Sequence, residues 1–311
     1  MAGILSAQQF SGPVEGFIFD RPSQAFRAII GIPGSASIGP DLVDGFDRGF
    51  VAPRKDYALA FQGDQCTFIS GLNASVATAS VPGVSGQVEG VVWSGDGSLA
   101  ILYSRAGNWI QSLTGFPANP QANDLVDLSI LGGSLSAVAT DARGQNIAVG
   151  IVGANFSGVY LNNGSQGFTP ILQISAPIAL TFALQSNTLY ALDKATLQIF
   201  EISELDFTSQ PYVIDGLADP MAIEAARDSS GRSVLYLISG SDQIMRTYDT
   251  ATHQVLADIP IGLRPTALTD LGPGSFVLAS RAQSNDPLWL FATLPQPAVY
   301  FVPALASGGS E

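Results

Sequence analysis

A phrase of short apolar runs and polar turns returns along this chain every 41 to 47 residues, and no other feature limits its fold so tightly. Aligning the turn after the first run of each copy on Ala52, Trp93, Thr140, Phe182, Ala226 and Thr269 gives successive intervals of 41, 47, 42, 44 and 43 residues. The clearest copy runs from Tyr248-Asp249-Thr250-Ala251-Thr252-His253-Gln254-Val255 through Ile261-Gly262-Leu263-Arg264-Pro265-Thr266-Ala267-Leu268 to Ser275-Phe276-Val277-Leu278-Ala279-Ser280. Spacing this regular over five intervals requires cores of constant length, with the scatter absorbed by surface loops that tolerate insertion.

Each copy reads as four strands. In the third they run from Ser134 to Thr140, Asn146 to Val152, Ser157 to Asn162 and Pro170 to Ser175. The turns between them, Asp141-Ala142-Arg143-Gly144 and Asn162-Asn163-Gly164, use residues that accept positive φ or hydrogen-bond their own backbone. Apolar runs such as Leu99-Ala100-Ile101-Leu102-Tyr103 and Val234-Leu235-Tyr236-Leu237-Ile238 are continuous instead of alternating, the mark of strands covered on both faces. A repeated four-stranded antiparallel unit with a neighbour against each face is a blade, and the fold class expected is an all-β propeller.

The 33 glycines and 19 prolines suit a chain that turns every several residues, and no long amphipathic helical stretch is present. A length of 311 residues suggests two domains by default. A closed ring of repeats is one cooperative unit, so the expectation is a single domain over residues 12–305, with tails at 1–11 and 306–311.

Six complete copies run from about Gly45 to Ala304, preceded by a half copy, Val14 to Asp20 and Ala25 to Gly31. This half copy aligns with the last two strands of a blade: Phe19-Asp20-Arg21-Pro22-Ser23 parallels Tyr248-Asp249-Thr250-Ala251-Thr252. Closure by strands from both termini removes exposed sheet edges, and the C-terminal run Ala298-Val299-Tyr300-Phe301-Val302 is the natural partner. Seven blades are favoured, with six as the alternative.

The stretch Asp249-Thr250-Ala251-Thr252, Ile259-Pro260-Ile261-Gly262 and Arg264-Pro265-Thr266-Ala267-Leu268 resembles the YVTN-type propeller repeat. Asp219-Pro220-Met221-Ala222-Ile223 with Val234-Leu235-Tyr236-Leu237-Ile238 is similar to it. The resemblance covers copies five and six well and the others loosely. The family's usual Pro-Asp-Gly turn is replaced by Ser94-Gly95-Asp96-Gly97 or Asp228-Ser229-Ser230-Gly231, and the Gly-His and Trp-Asp pairs of WD40 repeats are missing. The resemblance implies an extracellular or periplasmic binding or surface module, some relatives being lactonases.

With 13 basic and 26 acidic residues the net charge is −13, which repels nucleic acid and anionic membranes. Only Lys55 and Lys194 are lysines. The longest apolar runs of about five residues fall far short of the ~20 that span a bilayer as a helix. Small residues Ser6 and Ala7 before Gln8 resemble the end of a cleavage region, so residues 1–9 read as a signal-peptide remnant, a late gene start or a chance match.

Reactive residues are sparse. The single cysteine, Cys66, lies in a strand run, Cys66-Thr67-Phe68-Ile69, where a buried structural role is expected. The single histidine, His253, falls in the polar turn between two outer strands, away from the expected ligand mouth, which argues against a nucleophilic triad and rules out a multi-imidazole zinc site. No nucleophile elbow, phosphate loop or EF-hand occurs. Asn73-Ala74-Ser75, Asn155-Phe156-Ser157 and Asn163-Gly164-Ser165 fit the glycosylation acceptor pattern, which matters only in a eukaryotic secretory pathway.

What remains is the rim formed by loops from second to third strands and from fourth strands to the next blade. Ser104-Arg105-Ala106 and Ser280-Arg281-Ala282 repeat one tripeptide there, and Arg264 opens another blade on that face. Asp64, Asn108, Asn155, Asp242 and Asp286 share the same loop class. Arg105, Asn108, Asn155, Asp242, Arg264, Arg281 and Asp286 are therefore the candidate ligand-binding residues, for an anionic or sugar ligand. A structural role, capping turns and pairing with acidic neighbours between blades, fits them equally well and is commoner. Trp93, Trp109 and Trp289 lie on or beside strands and read as packing residues.

Two functions stay open. One is a monomeric, non-enzymatic binding or scaffold propeller without a cofactor, for a protein or small ligand and not for nucleic acid. The other is a lactonase-like hydrolase using a divalent cation such as calcium, held by Asp, Glu and Asn side chains.

Overall fold

The computed structural model describes residues 12–303 apart from 165, 166, 207–209, 215, 217, 266, 267, 273, 280, 294 and 295. The tails at 1–11 and 306–311, with Ser6 and Ala7, and Ser165 of the third acceptor triplet, lie outside the described residues. The strands form seven antiparallel sheets, each a simple meander in chain order. Among the described residues the only helical element is the 3-10 turn Ser129–Leu131.

The first sheet holds β1 (Val14–Asp20), β2 (Ala25–Ile30) and β3 (Ser37–Asp44), and the second β4 (Arg48–Val51), β5 (Ala58–Gln62), β6 (Gln65–Ser70) and β7 (Ala77–Ser80). The third holds β8 (Gly90–Trp93), β9 (Ala100–Ser104), β10 (Trp109–Thr114) and β11 (Gln121–Asp127). The fourth holds β12 (Gly133–Thr140), β13 (Ile147–Gly153), β14 (Gly158–Asn162) and β15 (Thr169–Gln173). The fifth holds β16 (Pro177–Phe182), β17 (Leu189–Asp193), β18 (Gln198–Ile202) and β19 (Tyr212–Ile214). The sixth holds β20 (Pro220–Arg227), β21 (Ser233–Ser239), β22 (Ile244–Asp249) and β23 (Gln254–Pro260). The last holds β24 (Thr269–Gly272), β25 (Ser275–Ala279), β26 (Leu288–Ala292) and β27 (Ala298–Val302). The chain is a seven-bladed β-propeller, as the favoured count expected.

Why the second strands read as continuous apolar runs is now visible. Val234, Leu235, Tyr236, Leu237 and Ile238 of β21 are all essentially inaccessible, as are Ile101 and Leu102 of β9, so side chains on both faces of these strands are buried. Outer strands are solvated instead: all four residues of β7 are exposed, and all of β23 except Ile259. Extra residues in β11, in β15 at Ile171 and in β23 at Leu256 kink the pairing of those outer strands. The ladder between β26 and β27 is regular.

The blades fall into two compact units. One comprises Ser85–Pro265, the third to sixth blades. Its cores bridge successive blades: Ile101 and Ile110 with Val149 and Ile151, then Val159 and Leu172 with Leu180 and Leu189, then Leu192 and Ile199 with Ile223 and Leu235.

The other unit comprises Met1–Val84 and Thr266–Glu311. Here the first blade is packed on both faces. Phe17, Phe26 and Ala28 meet Ala58, Ala60 and Ile69 of the second blade. On the other side Ile18, Ile29 and Ile38 meet Leu271, Val277 and Leu290 of the last. The approach of β1 to β24 is close enough that a side chain at Gly16 would come within 2.6 Å of the Leu271 carbonyl oxygen.

Closure by the termini thus takes a particular form. β27 completes its own four-stranded sheet, and the N-terminal strands join the C-terminal ones face to face instead of sharing a sheet with them. The half copy also sits differently from its sequence alignment: β1 and β2 are the first two strands of a blade that β3 extends. The Asp-capped turn that suggested the alignment caps hairpins at more than one position. One repeat anchor shifts as well. Thr269 opens β24 instead of ending it, because β24 and β25 are joined by a very tight hairpin with Gly272 opposite Ser275 and Gly274 at φ +78°.

A buried polar clasp accompanies the apolar contact. Asp20, at the end of β1, accepts from Ser23 Oγ at 2.9 Å and faces Arg27 Nε at 3.4 Å and Arg281 Nη1 at 3.3 Å. Arg27 continues to Asp41 on β3, 2.6 Å away. Removing one partner of a buried pair costs about 3 kcal/mol because the other charge stays desolvated. Arg281→Ala should therefore lower the unfolding free energy by about that amount in urea titrations monitored by tryptophan fluorescence. A loss below about 0.5 kcal/mol, the size of an ordinary surface change, would show that the clasp does not hold the terminal blades together.

Candidate functional site

Every candidate residue stands in the class of loop assigned to it. Arg105 and Asn108 lie between β9 and β10, Asn155 between β13 and β14, Asp242 between β21 and β22, and Arg281 and Asp286 between β25 and β26. Arg264 follows β23, and Asp64 lies between β5 and β6. What differs among them is what they touch.

Arg105, Asn108 and Asn155 gather around the entrance of β12. Asn108, left-handed at φ +54°, donates through Nδ2 to the Gly133 carbonyl at 2.8 Å and accepts through Oδ1 from Leu135 N–H at 2.7 Å. Arg105 donates through Nε to the Ser136 carbonyl at 3.1 Å while its guanidinium lies 5.4 Å from the Tyr103 ring centre. Both side chains are thus struts from one blade onto the backbone of the next. Asn155 is exposed two residues beyond Gly153, the cross-strand partner of Gly133. Glu89 secures the Arg105 turn, accepting from Ser104 Oγ and Ala106 N–H at 3.1 and 2.8 Å. Burial works to raise its pKa, but the hydrogen bonds from the turn and the Arg105 charge outweigh that and hold it below the ordinary glutamate value. Beside this frame Ile130, in the 3-10 turn before β12, is 80% exposed.

Arg281 and Asp286 are structural. Arg281 is buried, reaches Asp20, and donates through Nε to the Asp286 carbonyl at 2.9 Å and through Nη2 to the Ser284 carbonyl. The Asp286 carboxylate accepts from the Gln283 and Ala282 N–H groups at 2.8 and 3.3 Å. A buried, fully engaged Arg281 has no free fork for a ligand.

Arg264 belongs to a group whose other members, Lys194 and Asp219, were not among the candidates. Asp219, just before β20, accepts from Lys194 Nζ and faces Arg264 Nη2 at 3.5 Å. The bonded Lys194 ammonium, with Arg264 behind it and against a small burial cost, holds the Asp219 carboxyl below its usual value. Asp242 turns its carboxylate to Ser239 and Ser241, at 3.0 and 3.2 Å. The available signal was positional: Lys194 is one of two lysines, and it and Asp219 occupy the same loop classes as the candidates.

The reactive side chains are otherwise occupied. Cys66 on β6 is buried, and desolvation pushes its thiol up to about 12. His253 lies in the β22–β23 turn as expected, but it is half-buried and not a solvated turn residue. Its ring stacks on Tyr212 with centroids 3.9 Å apart, and Nε2 lies 3.3 Å from Glu201 Oε2. Burial raises the Glu201 pKa, and His253 only partly offsets this. Among the described residues no three His, Cys, Asp or Glu side chains come together as a cation site. Trp109 is buried, Trp93 packs on Phe116 at 5.0 Å and Trp289 on Phe301 at 5.9 Å, as packing residues.

No family model matches the chain, and no curated protein does. Among solved structures, a chain of a nidogen/laminin complex is similar, with 12% identity, a TM-score of 0.51, and 78% of this chain and 92% of that one covered. A functionally unknown protein from Desulfotomaculum acetoxidans is 11% identical, with a TM-score of 0.63 over 94% of this chain and 97% of that one. Dihydro-heme d1 dehydrogenase NirN in complex with DHE is 14% identical, with a TM-score of 0.52 over 83% and 66%. Likeness at these identities is likeness of fold.

The Glu201 environment makes a pH prediction. A carboxyl whose folded pKa is raised contributes stability fully below its unfolded value, about 4.3, and loses it as pH rises through the folded one. Glu201→Gln should therefore unfold at a higher urea concentration than the parent at pH 8, with the difference shrinking towards pH 4. A difference that is the same at both pH values would contradict the assignment.

Proposed function

We propose that this chain is a non-enzymatic binding or scaffold propeller, with residues 12–305 acting as one monomeric domain outside the cytoplasm. The observation that carries this reading is the frame at the entrance of β12. There Arg105 and Asn108 fasten one blade to the backbone of the next and fix the loops before any partner arrives. Loops ordered in advance spare a partner the entropy of ordering them, which is what a recognition surface requires. Ile130, held out on its short turn beside this frame, supplies an apolar anchor of the kind buried at the centre of interfaces.

Other observations support the same reading. The thiol of Cys66 is withdrawn from nucleophilic use by burial, and His253 is committed to Glu201 and Tyr212. The net charge of −13 favours a protein or small-molecule partner over nucleic acid or an anionic membrane. The resemblance of copies five and six to YVTN-type repeats supports an extracytoplasmic site of action. One of the similar folds is found in a complex of nidogen with laminin, which illustrates the architecture in a protein assembly.

A metal assay of the purified chain, with a lactone-hydrolysis screen run with and without calcium, separates binding from catalysis. The expected result is no turnover above the buffer rate in either condition. Turnover that vanishes with chelator and returns with the metal would replace this reading with the hydrolase.

A further inference from the structure

Four loops of the fifth and sixth blades meet at Asp219. Lys194 comes from the β17–β18 loop, Asp219 from the β19–β20 connection, Gly240 from the β21–β22 loop and Arg264 from the segment after β23. The loops are locked together by backbone as well as side chains: Gly240 N–H donates to the Asp219 carbonyl at 2.8 Å, and Lys194 Nζ to the Pro220 carbonyl at 3.3 Å. Gly240 has to be bare here, since a Cβ would come within 2.9 Å of Asp219 Oδ2 and collide with Met221.

Asp219 bears one negative charge between two cations, Lys194 and Arg264. Neighbouring charged groups have partners of their own, and the two carboxylates bonded to neutral donors keep their charge. Asp193 accepts from Ala176, Ala195 and Thr196, Asp242 from two serines, and Arg246 on β22 is paired through both Nε and Nη2 with Asp258 on β23. Arg264 is 68% exposed, and its one protein contact among the described residues is a single Nη2 contact at 3.5 Å, near the limit of a hydrogen bond. Its Nε and Nη1 donors have no hydrogen-bond partner among the described residues, on a chain that is otherwise strongly acidic. A planar guanidinium fork matches a carboxylate in bidentate fashion, and an adjacent ammonium adds a point charge.

We propose that Lys194 and Arg264, held on either side of Asp219, form a clamp for a carboxylate group of the ligand. The inference rests on the binding-module reading and names the ligand chemistry of one of its surfaces. Asp219 is a positioning residue: it orients both cations, Lys194 through a direct hydrogen bond and Arg264 through one long contact. The carboxylate could be that of an acidic peptide side chain or that of a free organic acid, and the two sources present the same group to Arg264.

The test is a titration of the intact chain followed by NMR of the Arg264 Nε–H and backbone amide signals near 194, 219 and 264, at low salt. Two probes separate the sources: acetate, and a short peptide carrying consecutive glutamates, with its glutamine counterpart as control. Saturable shifts with the glutamate peptide or with acetate are expected, and they should weaken on the order of tenfold in Arg264→Gln or Lys194→Gln and with added salt. Saturation by the peptide at concentrations where acetate does nothing assigns the site to acidic peptides, and the reverse order of affinity assigns it to small acids. Variants that retain the parent circular dichroism and melting point keep the comparison free of unfolding. No saturable shift with either probe overturns the clamp, as does equal binding by the parent and Arg264→Gln or equal binding of the glutamine peptide. Lactone turnover would overturn the module reading while leaving the clamp standing, and absence of carboxylate binding would overturn the clamp while leaving that reading standing.

Discussion

Asp20 stands between the guanidinium groups of Arg27 and Arg281, the second of which lies 261 residues away in sequence, and all three side chains are withdrawn from water. The packing of the first blade against the last is arranged around this meeting. Isoleucines of β1, β2 and β3 fill the apolar contact beside it, and Gly16 lets β1 come close enough to β24 for that contact to form. A buried ion pair is seldom a large net source of stability, since its desolvation offsets most of its attraction. Its value lies in being exclusive: a misregistered first blade would strand Asp20 without its cations, whereas apolar contacts alone would tolerate the slip. One oxygen of Asp20 has no hydrogen-bond partner among the described residues; the contacts with Ser23, Arg27 and Arg281 all fall on the other.

The fold was legible because its determinants are local. Strand boundaries in the third copy fall within one or two residues of those read from the run Ser134 to Ser175, since each is set by an Asp- or Gly-bearing turn beside an apolar run. The continuous runs at Leu99 and Val234 reported two-sided burial correctly for the same reason. Legibility failed where one local signal serves two purposes. The Asp20 turn looks like the turn at Asp249, yet the first belongs to the opening hairpin of a blade and the second to the closing one.

The loop residues show a different limit. Sequence spacing identifies which loops share a class but not which side chain reaches which neighbour. Arg105 and Arg281 carry the same flanking serine and alanine, yet one is an exposed strut and the other is buried in a clasp. Their difference arises from what lies 31 residues ahead of the first and 261 residues behind the second. Asp219 and Lys194 escaped notice because an acid and a base 25 residues apart are unremarkable until the chain folds them together. The partial cover over His253 was not legible, because nothing near it in sequence announces that Tyr212 will stack on its ring.

The kinks in the outer strands set the terms on which this protein meets copies of itself. A strand that gains one residue over its neighbour cannot be extended by a straight newcomer without first being flattened, and β3, β11, β15 and β23 all carry such irregularities. β7 is regular but offers only small and hydroxyl side chains, and β19 spans three residues. β27 has neither safeguard: its ladder is even along its whole length, and Phe301 stands 60% in water. In a crowded or ageing solution, fibrillar growth of this protein would begin at that seam, and a single lysine in place of Phe301 would close it.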